Sequence, residues 1–300
     1  MKNSLTLDEI AVIIITHNGA QWIEKCLQSV LDSSVAVQVF IVDNASSDAT
    51  IATIQKFQNI NLEILDENIG FGKANNIAII KAITLGYKNF FLLNQDTWIE
   101  KDTIKKLVLQ QNKNVDFGIL SPLHFDNGMN NLDANFATYY SLKKGYAENL
   151  LEVPFVNAAA WLVSLKCFAG VGFFEPIFNH YGEDRNFCNR VHFHKFKIGI
   201  VDDARIVHDR IIIRKFQKDL QQSKYAILNT LININVSRSQ ALCSAFMQVF
   251  GLPKFFYKFY GFQKSVVMLY NLLCYFLINI ANWTEINVIR KKSIDGKIEI

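Results

Sequence analysis

Residues 90–97 read FFLLNQDT, and this run narrows the choice of fold more than any other stretch. Four apolar residues without a polar break describe a strand buried on both faces, as in a parallel sheet covered by helices. The run stops abruptly at Asn94, Gln95 and Asp96. In open α/β sheets, ligands bind outside the carboxyl ends of the strands. A carboxylate at such an end can hold a hard cation, and the cation can hold a diphosphate. Taken alone, Asp96 reads better as the cap of a helix starting near Trp98.

The same design recurs along the first half. Apolar strands at 10–15 (IAVIII), 37–42, 62–65 and 115–120, the last closed by Pro122, alternate with helical patterns. The first helix carries Trp22, Cys26 and Val30 on one stripe, with Ile23, Leu27 and Leu31 beside it. Ser46, Ser47 and Asp48 offer N-caps for the second, a third runs from about Lys73 to Gly86, and a fourth spans 102–110. This alternation predicts an α/β fold with a doubly wound, mostly parallel sheet. Beyond Pro122 the pattern changes. Residues 123–150 are irregular, 153–163 are strand-like, and 170–174 form a turn. A helix opens at Glu183 and runs through His192, and short strands follow at 197–201 and 205–208. From Arg214 the chain reads as helical, with no further strand and turn signals until Ile286.

Half of the residues are hydrophobic, which allows a large core and argues against disorder. A net charge of +4 is too mild to imply nucleic acid as a partner. The five cysteines are scattered and form no CxxC pair, the usage of reduced thiols in a cytosolic compartment. The polar residues 1–9 and the short apolar run 10–15 do not make a cleavable signal peptide.

Four consecutive strands end in polar residues that can face one site: Thr16 and Asn18, Asp43 and Asn44, Asn68 and Gly70, Asn94 and Asp96. Four such endings in an alternating sheet describe a nucleotide pocket. Gly70-Phe71-Gly72 before a helix would let a phosphate approach backbone N–H groups. The dinucleotide fingerprint is incomplete, because Asn75 stands where its last glycine belongs and the motif follows the third strand rather than the first. No G-x-x-x-x-G-K-[ST] loop is present, which excludes a P-loop NTPase. Glu183 and Asp184 offer a general base, and equally a pair of acids at a helix N-terminus. His208 ends a strand and reads either as a structural histidine or, with Asp96, as half of a mixed oxygen and nitrogen metal site.

The stretches VIIITHN, FIVDNASSDAT, ENIGFGKANN, FFLLNQDT, AAAWLV and YGEDRNFCNR, in this order over about residues 10–210, resemble the inverting GT-A glycosyltransferases of family 2. The bacterial rhamnosyltransferase-like branch is the most similar. The resemblance implies that Thr16, Asn18 and Asp43 hold the base and ribose of a dTDP- or UDP-linked sugar, with Asn44 nearby. Asn68, Gly70 and Asn75 would line the nucleotide side. Asp96 would be the last acid of the D-x-D element and bind Mg2+ or Mn2+ on the diphosphate, with His208 at the late metal position. Asp184 would be the catalytic base of the E-D pair, with Glu183 and Trp161 on the acceptor side. The acceptor would be a glycan or a polyprenyl-linked sugar of cell-surface polysaccharide synthesis. The sequence departs from the family at Asn94, where the first D-x-D acid belongs, at His17, at Asn186 and at Asp209-Arg210-Ile211. The missing acid at Asn94 also suits a catalytically silent, sugar-nucleotide-binding or scaffolding subunit.

The expected division is a nucleotide-sugar domain at 1–210 and a helical region at 211–300. Within the latter, 252–260 (LPKFFYKFY) interleaves lysines with aromatics, and 266–281 is apolar but short of the roughly 20 residues a spanning helix needs. Helices in a membrane interface, on the inner face of the cell membrane, are the favoured reading. Packing on the domain or in a homodimer is the other.

Overall fold

The computed structural model describes residues 10–210 and 214–296. The polar leader 1–9, Ile211 and the start of the region expected at 211–300 lie outside the described residues. In chain order the elements are β1 (Ile10–Thr16), α1 (Ile23–Leu31), β2 (Gln38–Asp43), α2 (Thr50–Ile54), β3 (Ile60–Ile64), α3 (Phe71–Thr84) and β4 (Asn89–Asn94). Then come β5 (Thr97–Ile99), α4 (Thr103–Lys113), β6 (Phe117–Phe125), α5 (Ala134–Tyr140), β7 (Lys144–Ala147), β8 (Leu150–Glu152) and β9 (Ala160–Ser164). The chain continues with α6 (Leu165–Val171), α7 (Glu183–Phe193), β10 (Lys197–His208), α8 (Phe216–Leu231), α9 (Arg238–Ala281) and α10 (Trp283–Asp295).

One sheet runs in the order β3-β2-β1-β4-β9-β6-β10-β8-β7, with β5 paired to β10. The first four strands are parallel, β9 is antiparallel to both neighbours, and β6 and β10 are parallel again. The fold is therefore α/β, with a large and mostly parallel sheet and a helical C-terminal extension, as the GT-A resemblance implies. Strand periodicity of two splits each central strand between two cores. On one face, Ala11, Ile13, Phe90, Leu92 and Trp161 pack beneath α3, α6 and α7. On the other, Val12, Ile14, Phe91, Leu93 and Leu162 pack beneath α1 and α4. Double-sided burial is why these strands read as unbroken apolar runs.

Four local expectations are corrected. Trp98 lies in β5, not at a helix start, so Asp96 caps no helix there; the β-favouring Thr-Trp-Ile run pairs with β10 instead. Pro122 sits inside β6, opposite Val201, where the register of β10 slips, and such an irregularity tolerates a missing N–H. The same slip joins the two strands expected at 197–201 and 205–208 into β10. At Ile286 the chain remains helical, in α10.

The helices α8 to α10 form a third core around Leu228, Met268, Leu272, Phe276 and Ile289, with Phe178 from the segment before α7 packed into it. Helix α9 is not straight. Gly261 takes φ 71° and ψ −175°, and the ring of Phe246 meets that of Phe276 at 5.7 Å. These rings stand fifteen residues to either side of Gly261, so 238–260 and 262–281 fold back on each other as a helical hairpin.

Candidate active site

The sheet order reverses between β1 and β4, and the cleft opens at this switch point, where α/β sheets hold their ligands. The cleft has a volume of about 570 Å3, and Thr16, Asn44, Asn68, Asn94 and Asp96 stand in its wall. The loops at the ends of β1, β2 and β4 and before α3 are bound together by side chains. Thr16 donates to Asp43 at 2.7 Å, and the Ser46 hydroxyl donates to the same oxygen at 2.6 Å. The Asn44 side chain donates to Asn68 Oδ1 at 2.8 Å and accepts from the Ile69 N–H at 2.9 Å. Gln95 accepts from the His17 N–H at 3.0 Å and donates to the His17 carbonyl at 3.1 Å.

These bonds separate the expected nucleotide contacts. Asn44 and Asn68 are wall residues. Asp43 is buried with its oxygens committed to Thr16 and Ser46, so it shapes the cleft from behind. Asn18, at φ 49°, is exposed and accepts from the Ser47 N–H at 2.8 Å. Asn75 is buried and donates to the Phe71 carbonyl at 2.9 Å within its own helix. Gly70 serves a close approach within the protein. At φ 93°, a Cβ there would lie 1.9 Å from the Asn179 carbonyl oxygen, and the Phe71 N–H already donates to that oxygen at 3.2 Å. The glycine thus admits the segment leading to α7.

Asp96 and His208 come together although they stand far apart in sequence. Pairing of His208 with Thr97 across β10 and β5 brings His208 Nε2 to 3.5 Å from Asp96 Oδ1. The Asp209 N–H donates to the Asp96 carbonyl at 2.9 Å and fixes the turn. His208 is buried, its Nδ1 has no partner, and both side chains stand in the cleft wall. No group of three His, Cys, Asp or Glu side chains suited to a metal occurs among the described residues. A carboxylate with one imidazole nevertheless fits a divalent cation that takes its remaining ligands from water and a diphosphate. Behind them, His124 stacks on Phe136, and burial, then the nearby His208, holds its pKa well below that of an ordinary histidine.

Glu183 and Asp184 open α7 and line a second cavity, of about 620 Å3, which shares Tyr181 with the first. Tyr181 and Gly182 both have positive φ, 72° and 95°, and this turn sets the direction from which α7 starts. The Gly182 carbonyl accepts from Asn229 of α8 at 2.9 Å. Burial raises the pKa of Asp184 above that of an ordinary aspartate, against the Arg185 N–H, which donates to its Oδ1 at 2.6 Å. Burial and then the Asp184 charge raise Glu183, whose Oε2 has no partner.

Trp161, expected on the acceptor side, is instead fully buried in the sheet core, stacked on Phe174 at 6.3 Å. An aromatic in the AAAWLV strand cannot be assigned to core or site from its sequence alone. The sequence also left out His180, Tyr181, Asn135, Arg210 and Lys218, all in the cleft wall. His180 and Tyr181 precede the acidic pair, which was their signal, whereas nothing local marks Lys218 on α8.

Comparison with known proteins bears on this geometry. Residues 11–168 match the model of the family described as Glycosyl transferase family 2. Glycosyltransferase GlyA of Streptococcus pneumoniae serotype 4 is 28% identical over 104 residues, 33% of this chain and 14% of that protein. The poly(ribitol-phosphate) beta-N-acetylglucosaminyltransferase TarS of Staphylococcus aureus is 30% identical over 106 residues, 32% of this chain and 18% of that protein. The chain thus matches under a fifth of either relative's length. In structure, the TarS fragment 1–349 superposes with a TM-score of 0.63 at 16% identity, covering 96% of this chain and 89% of that one. That fragment has also been solved with UDP-GlcNAc. The mannosyltransferase PcManGT of Pyrobaculum calidifontis, solved with GDP-Man and Mn2+, superposes with a TM-score of 0.59 at 13% identity over 97% of this chain and 87% of that one. The match extends over more than half of the chain, from β1 through the Asp96 turn to α6, and places it in glycosyl transferase family 2.

Proposed function

We propose that the protein is an inverting glycosyltransferase that moves a sugar from a nucleoside diphosphate to a hydroxyl of a glycan or polyprenyl-linked acceptor in cell-surface polysaccharide synthesis. The observation that carries this reading is the meeting of Asp96 and His208 in a cleft that adjoins the Asp184 cavity through Tyr181. Asn68 offers its amide to the nucleoside from a loop that Asn44 pins, while Lys218 supplies positive charge to the diphosphate side, where Arg210 is already paired with Asp133 at 2.7 Å. A Mg2+ or Mn2+ ion held by Asp96 and His208 would act as a Lewis acid on the diphosphate leaving group. Asp184 accepts the proton of the acceptor hydroxyl as its oxygen bonds to the anomeric carbon and the bond to the diphosphate oxygen breaks. A single displacement from the opposite face inverts that carbon.

The UDP-GlcNAc complex of TarS favours a UDP-linked donor. A dTDP-linked deoxyhexose such as rhamnose, the donor suggested by the sequence resemblance, is the alternative. The turn of the α9 hairpin exposes Phe255, Tyr257, Phe259 and Phe262 beside Lys254 and Lys258, which supports a peripheral place on a membrane surface.

Turnover assays with UDP-GlcNAc and dTDP-rhamnose, with and without Mn2+, test the reading together with titration of UDP and dTDP. Nucleotide binding without release of nucleoside diphosphate from any donor and acceptor would favour the silent-subunit reading that Asn94 suggests. Absence of nucleotide binding would reject both. The Asp96→Ala variant should lose the part of nucleotide affinity that Mn2+ adds, about 10-fold or more. Full Mn2+ enhancement in that variant would remove Asp96 from the metal site.

A further inference from the structure

Two buried imidazole nitrogens, Nδ1 of His124 and Nδ1 of His208, have no partner among the described residues, and what each has to offer suits the other. We propose that His124 is a positioning residue for the metal site, and that one buried water carries a hydrogen bond from His208 Nδ1 to His124 Nδ1, holding the His208 ring with Nε2 free for the cation. This rests on the metal reading of Asp96 and His208 and names the residue that orients the pair.

The state of His124 follows from its neighbours. Ser121 and His124 stand three residues apart on β6, where β10 slips register. The Ser121 hydroxyl has one proton and donates it to the Pro122 carbonyl at 3.1 Å. His124 Nε2, at 2.9 Å from Ser121 Oγ, is therefore the donor of that pair, and the lone pair of the ring sits on Nδ1. Burial, and then the nearby His208, keep the ring neutral. Stacking on Phe136, with ring centres 4.3 Å apart, fixes its plane. Nδ1 is thus a buried acceptor.

His208 is the opposite case. To hold a cation with Asp96, Nε2 must offer its lone pair, so the proton of the neutral ring sits on Nδ1. A buried N–H is costly to leave unpaired, and metal-ligating histidines almost always donate this hydrogen to another group. Asp133 acts electrostatically on both rings, but its carboxylate is engaged by the Asn135 and Phe136 N–H groups and by Arg210. The His124 ring stands edge-on to His208, with centres 6.3 Å apart. At that separation two ring nitrogens are too distant to bond directly, and one water closes the span. The two nitrogens give that water the polar partners a buried site requires.

The test uses the full chain with UDP or dTDP, whichever binds more tightly. A high-resolution crystal structure with that nucleotide and Mg2+ should show a water within hydrogen-bond distance of both Nδ1 atoms. The proposal is overturned if no water lies between the rings or if His208 Nδ1 meets another acceptor. Mn2+ affinity in the presence of the nucleotide, read by electron paramagnetic resonance, is the second measurement. His124→Phe keeps a ring against Phe136 without the acceptor, and should weaken Mn2+ binding about 10- to 100-fold while metal-free nucleotide affinity stays unchanged. His124→Asn, whose side-chain oxygen stands in for Nδ1, should recover most of that loss. Unchanged Mn2+ affinity in a folded His124→Phe protein, an Asn variant no better than the Phe variant, or equal losses of metal and nucleotide affinity would each overturn the proposal. If His124→Phe does not fold, the crystal structure and the Asn variant decide. An unaltered protein that binds neither nucleotide, or binds one with no divalent cation, would instead sink the parent reading, and this inference with it.

Discussion

Asp184 combines two properties that a general base needs: a place in a cavity wall and a carboxyl shifted by its surroundings. Burial favours the protonated form, so the pKa lies above the ordinary aspartate value and the carboxylate is the stronger base for it. Only the deprotonated form accepts a proton, so kcat/KM should rise with pH through that elevated value, with an acidic limb above the usual aspartate range. Asp184→Asn should lower kcat about 100- to 10,000-fold and leave donor affinity nearly unchanged. Equal losses in kcat and in donor affinity, measured by turnover and titration, would assign Asp184 a structural role. Residues of this kind were legible in the sequence because an acidic pair at a helix start is a local pattern. The partners of Asp43, Asn75 and Trp161, respectively Ser46, the Phe71 carbonyl and Phe174, were not legible in the sequence, because each comes from a contact that no local pattern carries.

At the scale of elements, the strands were legible and their punctuation was less so. An apolar run reports double-sided burial whatever surrounds it, so β1, β2 and β4 stand out. The pairing of β5 with β10, which delivers His208 to Asp96, depends on a contact between distant segments that no local pattern carries. The 179–182 turn is a second such element, held between Gly70, Phe178 and Asn229. Gly182, at φ 95°, has no room for a side chain: a Cβ would lie 2.9 Å from Asn229 Nδ2 and 3.0 Å from the Phe178 ring. Gly182→Ala should destabilise the protein by about 1–2 kcal/mol from backbone strain alone, lowering Tm by several degrees. It should reduce kcat more than donor affinity, because the turn aims Asp184 while Asn44 and Asn68 are held by other loops. Thermal unfolding and steady-state kinetics on the one variant check both parts. An unchanged kcat would show that α7 keeps its position without this turn.

At the scale of the whole molecule, the unexplained surface is the tip of the α9 hairpin. By length and composition alone, Arg238–Ala281 qualifies as a membrane-crossing helix. The fold gives a different arrangement, because Gly261 turns the chain back and one stripe, including Ala245, Val249, Met268, Leu272 and Phe276, packs into the third core. A glycine inside an apolar helical pattern does not announce such a reversal, so the hairpin was not legible in the sequence. Exposed apolar residues run along both arms, from Leu242 to Ile278, and at the turn itself Phe255, Tyr257, Phe259 and Phe262 are exposed, Phe262 at 72%. Lys254, Lys258 and Lys264 stand among them, and Lys258 lies 4.6 Å from the centre of the Phe255 ring. Aromatic rings beside lysines match the boundary between acyl chains and anionic headgroups, where each lysine near the surface contributes about 1 kcal/mol. The tip should therefore bring the protein onto vesicles containing phosphatidylglycerol, and high salt should partly release it, since exposed charges are screened. Truncation at Gly251 would also remove Met268, Leu272 and Phe276 from the third core, so substitutions are the cleaner test. Lys254→Glu with Lys258→Glu should lower vesicle partitioning about 10-fold or more at low salt, and Phe262→Ser should lower it at every salt concentration. Both variants should keep the parent Tm, because these side chains project from the core. If the unaltered protein ignores the vesicles and the same substitutions change its oligomer size by light scattering, the tip joins two copies of the chain instead, and the membrane reading is wrong.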